Sequence, residues 1–325
     1  MEAKWMTKDW TGGDLNALVK NLGGEAISRM IQRGDFKPKF KFTGDALFDN
    51  YGRRIPKGLS AEVKDANWDY GFAQPNMRSD GPFVYRGARL LRTFHQVLDR
   101  RIGYSHKKFY EKTERLLTQI QDDPQIANIL NGVWLPVAIP PLENDDIGTV
   151  LIDYLTALGK SYSEIFPDHK FEVRLGFEED REKLANEVSI AAGSRYEQLI
   201  ERMKQGIVYG ILFPSALQGY SITACREQMA SLREGFILSG LDSAIAEIVY
   251  PDNLASELID CNPNLNLAAL SWRRESNSLC FKRPESYRSD SVTFKQPPGK
   301  EFIFSFVSGL DRGHSDHTSG LLFIG

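Results

Sequence analysis

Acidic and hydroxyl-bearing side chains follow four short apolar runs in the middle of this chain, at residues 133–139, 171–175, 207–213 and 235–239. Three of the loops that follow these runs contain carboxylates, among them Asp145 after the first run and Asp242 after the last. Grouped carboxylates are the oxygen ligands that Mg²⁺ and Mn²⁺ prefer. The same residues are also typical helix N-caps and first-turn acids. We therefore predict capping rather than a metal site.

The loop at residues 214–221, which follows the third run, is neutral and small. It offers Ser215, Gln218, Tyr220 and Ser221 ahead of a predicted helix. Backbone N–H groups at a helix N-terminus, together with hydroxyls, can bind a small polar ligand. The alternative is an ordinary strand-to-helix connection. With Asp145 and Asp242, these four residues form our predicted ligand-binding set.

A second group of potentially reactive or metal-binding residues lies near the end of the sequence, at 313–320. It contains His314, Asp316 and His317, which could ligate zinc or iron. The spacing resembles the second half of the H-x-H-x-D-H motif of metallo-β-lactamase-type hydrolases. Arg312 stands where that motif requires its first histidine. We therefore predict a polar turn that holds no metal.

Strands alternating with helices must position these loops. Helical patterns at 147–158, 179–204, 222–232 and 243–249 follow the four apolar runs. This alternation is typical of βαβ units, so the predicted fold class is α/β, with a mostly parallel sheet and covering helices. The runs 133–139, 207–213 and 235–239 are expected to be parallel. Their carboxyl ends would then share one edge, where such sheets bind ligands.

Two regions are predicted. Residues 1–132 form a mostly helical N-terminal region with an extended segment at 35–82, and they include an amphipathic helix at 105–121. Residues 133–325 form the α/β domain. From about residue 251 the helical pattern gives way to short apolar runs separated by Pro, Asn, Asp and Gly, which predicts a β-rich tail arranged as a meander.

Charge is distributed unevenly along the chain. The net charge is −3, but residues 1–132 hold 22 Lys and Arg against 16 Asp and Glu, a net of +6. The excess lies within 77–112, where aromatic residues are interleaved with the cations. This combination suits a polyanion or an acidic protein partner. The residues expected to form such a surface are Arg86, Arg89, Arg100, Lys108 and Lys112.

The composition narrows the class of protein without fixing its function. Three widely spaced cysteines predict no disulfide framework, and no apolar run reaches the length of a membrane helix. We expect a soluble, cytoplasmic protein that does not bind membranes. Two functions follow: a hydrolase or transferase binding a small polar ligand at the sheet rim, or a non-enzymatic binding or assembly protein that uses its basic helical segment. Cofactors, and whether the protein is an enzyme, stay open.

Overall fold

The structure is a computed structural model. It describes residues 46–66, 71–75, 92–97, 103, 105–175, 181–254, 262–282 and 301–325. All of these belong to one compact unit, Asp45–Gly325. The predicted residues Arg86, Arg89 and Arg100 lie outside the described residues, as do residues 1–45 and much of the predicted extended segment.

The described part of the chain includes six α-helices and eleven strands whose bounds are as follows. The helices are α1 His106–Gln121, α2 Ile147–Ile165, α3 Tyr196–Gln205, α4 Ile222–Gln228, α5 Leu241–Val249 and α6 Pro251–Leu254. The strands are β1 Leu135–Ile139, β2 Lys170–Arg174, β3 Val188–Ile190, β4 Val208–Phe213, β5 Phe236–Leu238, β6 Asn264–Asn266, β7 Leu270–Trp272, β8 Asn277–Lys282, β9 Glu301–Ser308, β10 His317–Ser319 and β11 Leu321–Phe323. Residues 92–97 are also helical.

The central sheet overturns the prediction of a mostly parallel sheet. Its order is β1-β4-β11-β5, and every neighbouring pair is antiparallel. Leu135 pairs with Leu212 and Ile139 with Val208, so the first and third apolar runs are adjacent and opposed. The prediction was wrong because a strand buried on both faces reads as a continuous apolar run whichever way it points. Helical connections are long enough to return a strand in either direction.

The predicted helix at 179–204 was also wrong. Described residues of that span form a 3₁₀ turn at Arg181–Leu184, strand β3 and only then helix α3. By contrast, the predicted helix at 105–121 is confirmed by α1, for which Ser105 is the N-cap. Amphipathic periodicity over four turns is a stronger signal than the mixed pattern around β3.

The C-terminal region is rich in strands, as expected, but these strands are shared among three sheets. Strands β6, β8, β9 and β10 join β2 in a mixed sheet of order β10-β6-β8-β9-β2. Strand β7 pairs with β3, and β11 inserts between β4 and β5. A simple meander therefore does not describe this region, although β8 and β9 do form an antiparallel pair.

Buried polar contacts fix the helices against the central sheet. The Ser161 hydroxyl of α2 donates to the carbonyl oxygen of Ile248 in α5 at 2.7 Å. The Tyr250 hydroxyl, just after α5, donates to the carbonyl oxygen of Pro136 in β1 at 2.7 Å. Both bonds are buried, where an unmade partner costs more than the bond itself contributes. They hold α2, α5 and β1 in one arrangement.

Candidate functional site

The antiparallel sheet separates Asp145 from the rest of the predicted ligand-binding set. Asp145 follows β1, and its loop is bonded to the end of α3, where the Leu142 N–H donates to the carbonyl oxygen of Met203 at 3.1 Å. The pKa of Lys204 is raised mainly by its hydrogen bond to Glu201. Asp145 lies close enough to add to this increase. The loops after β4 and β5 lie at the opposite edge, because β4 runs antiparallel to β1, and β5 points the same way as β4 since both run antiparallel to β11.

The loop at 214–221 uses its polar groups within the protein. The Tyr220 hydroxyl donates to the carbonyl oxygen of Arg54 at 2.7 Å, and the Gln218 amide donates to that of Ser315 at 3.4 Å. The Ser221 hydroxyl accepts from the Ala224 N–H at 3.1 Å and so caps α4. Ligand binding by this loop, including the half-buried Ser215, stays a prediction.

Asp242 is fully buried at the same edge. Its carboxylate accepts bonds from the Gly240 N–H at 2.8 Å, the Ser239 hydroxyl at 2.7 Å and the Tyr196 hydroxyl at 3.0 Å. Burial raises the pKa of Asp242 in spite of these bonds. The contacts join the start of α5 to β5 and α3, which is a structural role that the sequence did not predict.

The expected capping roles shift by one or two positions. Asp146, not Asp145, is the N-cap of α2, and its carboxylate accepts from the Thr149 N–H at 2.8 Å. The N-cap of α5 is Gly240, with Asp242 in the first turn. Acids therefore do stabilise these helix starts, as the dipole argument anticipates.

The histidine-rich string near residue 313 forms the approach to β10. The His314 and His317 rings lie 4.7 Å apart, and His317 Nε2 is 2.9 Å from the side-chain amide nitrogen of Asn264. Burial lowers the pKa of His317 to about 4, although Asp316 opposes this. Among the described residues, no group of three His, Cys, Asp or Glu side chains could hold a metal ion.

A cavity of about 420 Å³ opens at the other edge of the central sheet, beside the amino end of β4. Its walls come from α1, the end of α3, the first residues of β4 and the two residues after β11. The lining residues are Lys108, Lys112, Arg115, Leu116, Gln119, Arg202, Gln205, Gly206, Ile207, Val208, Tyr209, Ile324 and Gly325. Its volume lies within the roughly 300–1,000 Å³ that small-molecule sites occupy.

Helix α1 presents two different faces. The buried face consists of Phe109, Thr113, Leu116 and Ile120, spaced three and four residues apart. The neighbouring stripe, shifted by one residue, contributes Lys108, Lys112, Arg115 and Gln119 to the cavity. Residues three and four apart lie on one side of a helix. Burying the apolar face against the sheet therefore places the cations at the cavity.

Arg202 supplies a further cation from α3. Its guanidinium donates to the carbonyl oxygens of Ile324 at 2.8 Å and Gly325 at 3.0 Å. Gly325 packs so closely against α1 that an added Cβ would lie 2.9 Å from Leu116 and Gln119. Arg202 thus fixes the wall that faces α1.

The electrostatics of the cavity are one-sided. Among the residues that the structure describes, four cationic side chains and no aspartate or glutamate side chain line the cavity. Within the described part of the chain, the Lys112 and Arg115 side chains form no hydrogen bond or ion pair. Like charges grouped along one concave surface create a positive local potential that attracts anions.

Tyr209 gives the cavity a neutral donor. It is only 9% exposed, and its hydroxyl has no hydrogen-bond partner among the residues that the structure describes. Burial raises its pKa, so the phenol keeps its proton at neutral pH. The Lys108 amine lies 5.9 Å from the centre of the Tyr209 ring. A hydroxyl without a described protein partner at the cavity can donate a hydrogen bond to a ligand or to water.

Sequence reasoning found part of this cavity. Lys108 and Lys112 belong to the predicted polyanion-binding surface, whereas Arg115, Arg202 and Tyr209 were missed. The helical spacing that connects Lys108 to Lys112 also reaches Arg115, so the periodicity of α1 could have revealed it. Arg202 and Tyr209 carry no local signal, since only the packing of α3 and β4 against α1 brings them there.

No protein-family model, curated protein or solved structure matches this chain significantly. Within the described residues, no helix has both the length and the apolar character needed to cross a membrane.

Proposed function

We propose that this protein binds a small anionic molecule in the cavity between α1, α3 and β4. The observation that carries the proposal is the described lining, in which four cationic side chains and no carboxylate side chain border about 420 Å³. The proposal develops the alternative in which the basic helical segment binds an anion. It assigns Lys108 and Lys112 to a defined concave site rather than to an open surface.

The free protein has an energetic reason to accept an anion here. Lys108 and Lys112 are one helical turn apart, and like charges at that spacing destabilise a helix by about 0.2–0.5 kcal/mol per pair. An anion between the two walls removes this repulsion and joins α1 to Arg202. Such a ligand stabilises the folded state by about 2.7 kcal/mol at one hundred times its dissociation constant.

Binding suits this cavity better than hydrolysis or group transfer. No imidazole, thiol, aliphatic hydroxyl or side-chain carboxylate is among the lining residues that the structure describes. These are the usual nucleophiles and general bases of such enzymes. A hydrolase or transferase site at the rim near Ser215 and Asp242 stays a prediction, and the polar groups described there are engaged mainly with the protein itself.

The test is thermal unfolding of four proteins in sulfate, orthophosphate, citrate and tripolyphosphate, with ionic strength held constant by sodium chloride. They are the wild type, Lys112→Gln/Arg115→Gln, the control Lys107→Gln and the control Lys107→Gln/Lys160→Gln. Lys107 is on α1 but pairs with Glu111 and is 86% exposed, and Lys160 pairs with Glu164, so neither lines the cavity.

At least one anion should raise the midpoint of the wild type and of both controls, but not that of the cavity double variant. The double control removes as much positive charge as the cavity variant does, so a difference between them reports the site rather than net charge. Equal stabilisation of all four proteins, or of none by any anion, would overturn the proposal.

A further inference from the structure

We infer that the anion is an oligophosphate, that is, a row of linked phosphoryl groups. Its source is either a free inorganic chain or the phosphate tail of a nucleotide. The inference rests on the proposed function and deepens it, because it concerns how the positive charges are spaced. Lys108, Lys112 and Arg115 occupy successive turns on one side of α1.

The spacing favours an extended anion over a compact one. Seven residues separate Lys108 from Arg115, and at 1.5 Å per residue this is about 10 Å along the helix axis. For both to meet one orthophosphate, their side chains must converge, which costs side-chain entropy and brings like charges together. A chain of linked phosphoryl groups can contact each cation without requiring the side chains to converge.

Arg202 faces this row from a fixed position. Two of its N–H groups are bonded to the carbonyl oxygens of Ile324 and Gly325, which leaves three of the five donors of a guanidinium. Arginine binds phosphate oxygens through paired N–H groups, and lysine through a point charge. Three cations on α1, with Arg202 on the facing wall, therefore suit a ligand that has many phosphate oxygens.

The lining favours the phosphate chain over a nucleoside attached to it. Tyr209 is the one aromatic residue of the described lining, and the amine of Lys108 lies over its ring. A base therefore finds no open ring on which to stack among the lining residues. The neutral phenol of Tyr209 can instead donate a hydrogen bond to a phosphate oxygen. We therefore expect the free inorganic chain to account for most of the affinity.

Isothermal titration calorimetry with orthophosphate, inorganic tripolyphosphate and adenosine triphosphate, without magnesium and at constant ionic strength, tests the inference. We expect tripolyphosphate to bind the wild type at least tenfold more tightly than orthophosphate does. Adenosine triphosphate should bind within about threefold of tripolyphosphate. A much tighter adenosine triphosphate would support the phosphate-chain chemistry and identify a nucleotide as its source.

Single variants locate the chain along α1. Lys108→Gln and Arg115→Gln, at the two ends of the row, should each weaken tripolyphosphate binding more than orthophosphate binding, while Lys107→Gln changes neither. Tyr209→Phe should weaken tripolyphosphate binding by about threefold to tenfold, as expected for one hydrogen bond. The substituted cations are exposed, so each of the cation variants should retain the far-ultraviolet circular dichroism spectrum of the wild type.

The outcomes distinguish a failure of the oligophosphate inference from a failure of the proposed anion binding. If orthophosphate and tripolyphosphate bind equally, with both affinities reduced in Lys112→Gln/Arg115→Gln, the oligophosphate inference is overturned and the proposed function stands. If a non-phosphate anion such as citrate binds in the cavity and tripolyphosphate does not, the oligophosphate inference is again overturned and the proposed function again stands. If no anion binds, both fall together.

Discussion

Two glycines of helix α2 should respond in opposite directions when each is changed to alanine. Gly148 is in the first turn of α2, where the 3₁₀ turn Arg181–Leu184 crosses it. A Cβ added at Gly148 would lie 1.8 Å from the carbonyl oxygen of Leu184, whereas ordinary van der Waals contact begins at about 3.4 Å. A Cβ at Gly159, farther along the same helix, would meet a ring carbon of Phe171 at 3.4 Å.

The magnitudes follow from these distances. Gly159→Ala gains helix propensity without a clash, which is worth about 0.5–1 kcal/mol of added stability. At Gly148 the backbone of Leu184 must move by 1.6 Å, the difference between 3.4 and 1.8 Å. Overpacking of this kind costs about 1–3 kcal/mol, and here it acts on backbone rather than on a flexible side chain. The bond from the Asn186 N–H to Asp146, 3.1 Å long, would also be strained.

Urea unfolding followed by far-ultraviolet circular dichroism measures both changes. We expect Gly148→Ala to lower the free energy of unfolding by about 2 kcal/mol, and Gly159→Ala to raise it by up to about 1 kcal/mol. Both variants share the same helix and the same substitution, so any general effect of alanine cancels. A Gly148→Ala protein as stable as the wild type would refute the close crossing of α2 and the Arg181–Leu184 turn.

Two further predictions concern buried polar groups. Tyr250→Phe removes the hydroxyl that donates to the Pro136 carbonyl oxygen, so in urea unfolding it should lose about 0.5–1.5 kcal/mol; no measurable loss would contradict that bond. Glu172, whose side chain is 4% exposed, is paired with Lys170 and Arg174, and its bond to Lys170 is the main cause of its lowered pKa. A lowered carboxyl pKa contributes stability above the ordinary value of 4.5 and loses it as the pH falls through the folded value. The stability advantage of the wild type over Glu172→Gln should therefore shrink between pH 6 and pH 3, and an advantage that grows on acidification would contradict this sign.

Local chemistry was sufficient for several elements. The buried face of α1 can be read from four apolar or small residues at helical spacing, and Ser105 marks its start. The apolar runs that became β1, β4 and β5 were located within one or two residues at each end. These elements depend on interactions between residues close in sequence, so the sequence is enough to predict them.

The direction and order of the strands depended on the whole fold. The run at 207–213 is apolar throughout because β4 is buried along its length, and that pattern is the same for parallel and antiparallel neighbours. Strand β11 comes from the far end of the chain and separates β4 from β5. No local signal identifies a pairing partner that is so distant in sequence. Because the strand directions were predicted wrongly, Asp145 was expected at the wrong edge of the sheet.

The cavity, too, was predicted only in part from the sequence. The sequence by itself determined that α1 carries a stripe of cations beside an apolar face, because helical periodicity fixes which residues share a side. Only the tertiary structure decided that this stripe faces Arg202 and the phenol of Tyr209 across one cavity. The reason is physical: the apolar face of α1 had to be buried against β4, and that packing brought distant residues together around one positively charged space.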